Sequence, residues 1–404
     1  MSKLAWVRRN LLIWVFSILL GGIVGLLATL FGRTLLVIGE FRSSHIWLCL
    51  PFLALAGLGI IYLYQHYGKT AQKGMNLVFE VAQGKSETIT KRLIPLVMLT
   101  TWLTHLFGGS AGREGVAVQI GATVGHQLDQ RLETKEHSRL FLVAGMAAGF
   151  AGLFQTPLAA TCFALEVLVV GRLELSSLLP ALLAALTASF TSHHLGLEKF
   201  SHLVELDLQL TPILVAQLLL LGLAFGLCGR LFASLLAKGK AWANRQWSSP
   251  YKRIAILGLV ASLLLLVVGQ GRYAGLGTNL IEAAFQGQRI EMWDWILKLL
   301  LTVLTLAAGF QGGEVTPLFA MGASLGVCLG TFFGLPLQLT AALGYASVFG
   351  AATRTLFAPM LIGAEVFGAS NLPYFFIVCL VAFSCNPKKS IYSLQERTDS
   401  GSPV

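Results

Sequence analysis

The sequence predicts an all-α polytopic membrane protein made of two related halves, and three observations carry that prediction. Of 404 residues, 55% are hydrophobic and 12% charged, with a mean hydropathy of +0.73. The apolar runs are many, and several are too short to cross a bilayer. A glycine-flanked charged turn at residue 112 returns at residue 313. Soluble domains carry about 25% charged residues, so a soluble enzyme is excluded.

Residues 11–31 form the first apolar run. At about 20 residues it can cross the hydrocarbon core. It lacks a small-residue cleavage site after a short apolar core, so it reads as a retained span and not as a leader. Further runs occur at 46–64, 93–108, 116–128, 140–154, 157–171, 176–190, 212–236, 253–269, 295–310, 315–334, 338–351, 355–367 and 372–384. Runs such as 116–128 fall below the ~17–25 residues of a straight span. They predict broken helices that stop inside the membrane, which is tolerated only where the ends are shielded by protein or line a cavity or site. Spanning strands would alternate in pieces of about ten residues, whereas these runs are apolar throughout. Beyond residue 384 the sequence is expected to supply a short tail and no cytoplasmic regulatory domain.

The 29 Lys+Arg exceed the 19 Asp+Glu, a formal +10. The basic residues gather between runs, at Lys3, Arg8 and Arg9, at Lys69 and Lys73, at Arg131 and Lys135, at Lys238, Lys240 and Arg245, and at Lys388 and Lys389. That pattern reads as membrane flanks with no nucleic-acid footprint, and the terminal groups place both ends in the cytoplasm under the positive-inside rule. The six cysteines never form a CxxC pair and lie almost all in apolar stretches, where a thiol packs as a small hydrophobe. The pair His193-His194 lies in a polar connector without a nearby Cys or spaced carboxylate, so no metal and no cofactor is expected. No nucleophile beside a base and no phosphate loop points to an enzyme.

The internal repeat aligns Gly112-Arg113-Glu114-Gly115-Val116 with Gly313-Glu314-Val315-Thr316-Pro317, and the GATVG run at 121–125 with GASLG at 322–326. Each half then has a small-residue run ending in a carboxylate, Glu166 and Glu365. The halves meet between 195 and 212. This divides the chain into a first repeat over 1–200, a second over 201–384 and a C-terminal segment over 385–404. Duplication of this kind marks transporter folds whose site lies at the repeat interface. GxxxG segments also pack helices closely, but packing does not explain why each is preceded by a charged turn. The letters alone allow parallel or inverted halves.

Carboxylates at membrane depth are costly and by default functional. The candidates are Glu80, Glu114, Glu166, Glu314 and Glu365. Glu114 lies between glycines where a helix begins, and helix N-termini carry unpaired N–H groups and about half a positive charge, which suits anions. A carboxylate at such a place competes with an anion when ionised and withdraws when protonated, which makes Glu114 a candidate gate and proton carrier. A salt bridge with Arg113 or a simple helix cap is the alternative. Glu314 lies in the equivalent turn of the second half as a candidate proton relay. Glu166 and Glu365 read as structural, capping a helix or pairing with an arginine such as Arg354.

Gly112-Arg113-Glu114-Gly115-Val116 resembles the GREGP motif of the CLC chloride channel and transporter family, and Gly313-Glu314-Val315-Thr316-Pro317 resembles its GxFxP motif. Gly74-Met75-Asn76-Leu77-Val78 stands where the family has GSGIP, and Tyr392 resembles its pore tyrosine. The resemblance spans nearly the whole chain, in order. It implies a CLC-type fold of two inverted structural repeats with broken and re-entrant helices, a homodimer with one pore per subunit, and an anion held at converging helix N-termini. Carried over by position, Glu114 is the gating glutamate, Tyr392 the inner-gate tyrosine, and Met75 replaces the anion-coordinating serine. The N–H groups of Val315 and Thr316 would face the anion, and Asn76, Gly112, Arg113, Gly115 and Val116 complete the expected anion-binding set.

Departures from the family pattern refine this. Met75 removes a hydroxyl, Val116 replaces the proline after the gate, Glu314-Val315-Thr316 replaces an apolar–phenylalanine pair, and Val167 stands where proton-coupled chloride exchangers have an inner glutamate. Together these resemble the fluoride-exporting branch. A small, strongly hydrated anion needs close, strong donors to replace its water. The expected function is a fluoride/proton antiporter in a bacterial inner membrane, with fluoride, protons and the lipid bilayer as partners. The alternative is a chloride channel or chloride/proton exchanger of the same fold.

Overall fold

The apolar runs fold as helices. The computed structural model describes residues 3–86, 88–132, 139–205, 208–386 and 388–397, with side chains from residue 7 onward. Lys135 and the Lys3 side chain fall outside that description. The first half comprises α1 (Lys3–Ser44), α2 (Ile46–Cys49), α3 (Leu53–Leu63), α4 (Met75–Ala82), α5 (Leu93–Leu106), α6 (Glu114–Arg131), α7 (Leu140–Phe154), α8 (Pro157–Glu166) and α9 (Leu178–His194). The second comprises α10 (Pro212–Gln246), α11 (Pro250–Val267), α12 (Thr278–Phe285), α13 (Asp294–Ala308), α14 (Val315–Phe333), α15 (Leu337–Thr353), α16 (Phe357–Phe367) and α17 (Leu372–Ser384). From α4 to α9 each helix has a counterpart in order from α12 to α17, so the duplication extends well beyond the motif that revealed it.

Among the described residues six helical segments are long and apolar enough to cross a membrane: Val7–Ser44, Ile46–Ala82, Leu175–His194, Pro212–Gln246, Pro250–Val267 and Val315–Phe333. The shorter apolar helices include Leu93–Leu106, Leu140–Phe154, Pro157–Glu166 and Phe357–Phe367, the broken pieces expected from run length. Several starts are written locally. Pro157, Pro212 and Pro250 occupy the first turn of their helices, where a missing N–H costs nothing. The Thr211 hydroxyl accepts from Leu214 N at 3.2 Å.

Three expectations are corrected. Lys238, Lys240 and Arg245 lie inside α10, and His193-His194 closes α9, not a connector; polar residues at a helix end keep the helix and let their long side chains reach out of the apolar zone. The first span is not 11–31 but part of a 42-residue helix, about 63 Å long at 1.5 Å per residue, so it exceeds any bilayer and tilts or projects. The C-terminal segment is held against the rest of the fold as far as Arg397. Strand β1 (Val169–Val170) pairs in parallel with β2 (Glu396–Arg397), and Gln395 Nε2 donates to the carbonyls of Val167 at 2.8 Å and Thr353 at 3.0 Å. Carbonyls orphaned at the ends of α8 and α15 thereby find donors.

Small residues bring α6 onto α7 and α14 onto α15. A Cβ on Gly121 or Gly145 would fall on the other's carbonyl, and the same holds for Gly322 and Gly344. The GxxxG segments therefore do pack helices, and their charged turns stand at the N-terminal ends of α6 and α14. The halves also cap each other. Glu166, ending α8, accepts from the N–H groups of Leu356, Phe357 and Ala358 at 2.9, 3.1 and 2.7 Å, at the start of α16. Glu365 on α16 accepts from Leu158 and Ala159 at 3.2 and 2.8 Å, at the start of α8. The capping expectation holds. Arg354 takes no part in it: the residue closes α15 at φ 60°, donates to the Phe383 carbonyl at 2.8 Å and stacks over the Phe383 ring.

Candidate functional site

The two charged turns meet at the junction of the halves. Gly112 N–H donates to the Gly313 carbonyl at 2.5 Å and Gly313 N–H to the Gly112 carbonyl at 2.7 Å, an antiparallel bridge. Both residues need close backbone approach; a Cβ on Gly112 would press on Pro317, the Gly313 carbonyl and Thr316 N. The bridge brings together the N-terminal ends of α6 and α14, each carrying unpaired N–H groups and partial positive charge.

Glu114 opens α6 but does not cap its own helix. It is 1% exposed, and its carboxylate crosses to the other half: Oε2 accepts from Thr316 N–H at 3.0 Å, and the Thr316 hydroxyl donates to Oε1 at 2.7 Å and Oε2 at 2.5 Å. Arg113 N–H is a weaker donor at 3.3 Å. Arg113 Nε stays 3.7 Å from Oε1 and makes no hydrogen bond, so the salt-bridge alternative is a loose contact at most. Val116 and Val315 are buried beside the turns.

Glu314 goes elsewhere. Its Oε2 lies against Gly115, and its Oε1 is 3.7 Å from Lys240 Nζ. Both face a cavity of about 510 Å³ lined by Met75, Asn76, Gln119 and Tyr392, with Lys73, Lys388 and Lys389 at its walls. Gly74, at φ 53°, turns the chain into α4 so that the helix starts at this cavity; that backbone angle suits glycine. Tyr392 is held by Phe79 at a ring separation of 5.4 Å and by Phe163 at 6.5 Å. Ser393 Oγ donates to Asn76 Oδ1 at 3.2 Å. A second cavity, of about 830 Å³, opens between α1 and the loop before α12, with Arg33, Arg42 and Arg272 among its lining.

The fold thus gathers the expected residues into two neighbouring groups: Gly112, Arg113, Glu114, Gly115, Val116, Val315 and Thr316 at the junction, and Met75, Asn76, Glu314 and Tyr392 at the cavity. Three side chains escaped the sequence reading. Lys240 counted as a membrane flank, and its place opposite Glu314 depends on how α10 lies against α14. Gln119 stood inside the repeat without a role. Lys298 is fully buried and without an acidic partner among the described residues, donating to Ser110 Oγ at 2.9 Å, the Gly275 carbonyl at 2.7 Å and the Tyr273 carbonyl at 3.1 Å. A lysine in the middle of an apolar run was the available signal.

The fold is mostly helical and multi-pass, and its duplicated charged turns meet. The chain belongs to the CLC family: the model described as voltage gated chloride channel matches residues 56–386. Among curated relatives it is similar to a "Chloride/fluoride channel protein" of Pseudomonas syringae pv. tomato, 34% identical over 93% of this chain and 85% of that one. It is also similar to the "Voltage-gated ClC-type chloride channel ClcB" of Salmonella typhimurium, 29% identical over 70% of each. Among solved structures it is similar to a CLC-type fluoride/proton antiporter, 52% identical with a TM-score of 0.95 over 98% of this chain and 100% of that one. A slow cyanobacterial Cl⁻/H⁺ antiporter, 22% identical at a TM-score of 0.82 over 95% and 96%, shares the fold.

Proposed function

We propose that this protein is a fluoride/proton antiporter that exports fluoride against inward proton flow, with Glu114 as gate and proton carrier. The observation that carries the reading is the seat of the Glu114 carboxylate on the N–H and hydroxyl of Thr316. Those donors are what an anion would use, so carboxylate and anion exclude one another. Protonation weakens the carboxylate's claim on the site and frees it to turn away, and an anion then takes the donors. Deprotonation on the other side returns the carboxylate and expels the anion. Each cycle moves a proton one way and an anion the other.

The likeness to a fluoride/proton antiporter at 52% identity supports fluoride as the anion, and the lysine-lined cavity supports anion attraction. Glu314 relays the proton between that cavity and Glu114. Met75, Asn76, Tyr392, and the backbone of Gly112, Gly115, Val116 and Val315 with Arg113 line the anion's route. The protein works as a homodimer in a bacterial inner membrane, both termini cytoplasmic, each subunit with its own pore. The repeats divide at 1–200 and 201–384, and the 385–404 segment brings Tyr392 to the pore.

The decisive experiment loads proteoliposomes with fluoride and follows efflux by electrode while a pH probe reports proton movement, with chloride in parallel. Fluoride efflux that drives proton uptake, abolished as coupling in Glu114→Gln and Glu114→Ala, is the expected result. Coupling retained in both variants removes Glu114 as the gate. Robust chloride flux with little fluoride instead makes the protein a chloride transporter of this fold, in line with its chloride-channel relatives.

A further inference from the structure

Three of the membrane-depth carboxylates, Glu114, Glu166 and Glu365, accept hydrogen bonds from the opposite half. Glu314 is answered by a charge instead. Lys240 Nζ, 3.7 Å from its Oε1, is its only ion-pair partner among the described residues. Its other oxygen lies against Gly115, next to Glu114 in the chain. The Glu314 side chain is 16% exposed and that of Lys240 45%, so the carboxylate stands at the wall of the cavity and the ammonium reaches into it.

Packing fixes Lys240 there. Gly239 lets α10 close on α13: a Cβ on it would lie 3.2 Å from Val303 and 3.6 Å from Ala307. Arg253 on α11 joins the same two helices, donating from Nη1 to Asn244 Oδ1 on α10 and from Nε to the Ala308 carbonyl at 3.2 Å, where α13 ends. The turn that carries Glu314 follows directly, so lysine and glutamate are held to one another through their elements. Glu314 is the one carboxylate among the cavity's lining residues, with Lys73, Lys388, Lys389 and Tyr392 on the other walls. Lys73 is engaged with Glu80 at 2.6 Å. At the start of α6, Glu114 is engaged with Thr316 and has Arg113 at 3.7 Å.

We propose that Lys240 is a positioning residue for the proton step: its ammonium holds Glu314 ionised and turned to the cavity, so that a proton arriving from Glu114 is passed on and not retained. The inference rests on the relay role of Glu314 in the reading above, where the cavity with Tyr392 faces the cytoplasm. A nearby opposite charge favours the ionised carboxyl and burial disfavours it. With Lys240 neutralised, burial prevails and Glu314 keeps its proton to a higher pH. Because water screens the exposed ammonium, the effect falls at the low end of the ~1–3 pH units of such pairs, about tenfold in proton affinity.

The test titrates detergent-purified protein by infrared spectroscopy, following the carboxyl band that Glu314→Gln removes, and measures coupled turnover in proteoliposomes at saturating fluoride as pH is varied on both sides. In Lys240→Met and Lys240→Gln the infrared midpoint is expected to rise by about one pH unit. The acidic limb of the turnover profile moves up with it, so turnover lost at neutral pH returns as pH is raised. Lys240→Arg keeps the charge and restores both, and Lys240→Met added to Glu314→Gln moves neither, since no carboxyl is left to hold. An unmoved midpoint in folded Lys240→Met or Lys240→Gln overturns the proposal, as does a shift that Lys240→Arg does not reverse. A cut in coupling in Glu314→Gln beside an unmoved midpoint keeps the relay and removes Lys240 from it. Intact coupling in Glu314→Gln removes the relay, and with it any share of Lys240 in transport.

Discussion

Thr316 is the residue on which the junction turns, because its N–H and its hydroxyl both serve one carboxylate from the opposite half. A hydrogen bond to a charged group contributes about 1.5–3 kcal/mol. Thr316→Val removes the hydroxyl and keeps the shape, so the Glu114 carboxylate is seated less firmly and the anion that takes its place loses a donor as well. The expected outcome is a fall in protons taken up per fluoride released, read with electrode and pH probe together. An unchanged ratio would mean that the hydroxyl has no share in seating Glu114. Glu314 carries the second prediction at this scale. It faces Lys240 and the cavity, so Glu314→Gln is expected to cut proton uptake per fluoride released while fluoride efflux continues. Unchanged coupling in that variant removes Glu314 from the proton route. The sequence made both residues visible as charged and hydroxyl groups in repeated turns. It did not reveal that Glu114 reaches across the molecule, because side-chain direction at a helix start depends on what the facing half presents.

At the scale of elements, short helices survive in the membrane because their ends are answered by the other half. Glu166 closes the start of α16 and Glu365 the start of α8, while Lys298 on α13 ties the loop before α12 to the turn before α6. Removing the ammonium leaves the carbonyls of Tyr273 and Gly275 and the Ser110 hydroxyl without that donor. An unsatisfied buried group costs about 1–3 kcal/mol, so Lys298→Met is expected to lower the thermal midpoint of the detergent-purified protein and to slow efflux by loosening the turn that carries Glu114. A variant as stable and as fast as the parent would show that Lys298 has no share in holding that turn. Run length was enough to anticipate broken helices, but their caps lie about two hundred residues away in sequence and no local signal joins them.

For the whole molecule, the exposed faces of α9 and α17 matter most. Leu186 and Phe190 on the first and Phe376 and Leu380 on the second are large apolar side chains turned outward, suited either to lipid or to a second subunit. If each subunit of the proposed homodimer has its own pore, a mixed dimer with one Glu114→Gln subunit retains about half of the parent's coupled efflux per dimer, because the sites do not share a gate. Tandem-linked dimers in proteoliposomes measure this directly, and complete loss of coupling from one altered subunit would mean a shared path.

The fold class, the duplication and the turns that carry Glu114 and Glu314 were determined by sequence alone, since apolar run length and glycine spacing act locally and repeat visibly. Tertiary structure decided the rest: that Glu114 binds Thr316 and not the Arg113 guanidinium, that Lys240 and Gln119 belong to the cavity, and that the C-terminal segment returns to pack Tyr392. Each is a contact between groups far apart in the chain, and only the packing of one half against the other brings them within hydrogen-bonding or van der Waals reach.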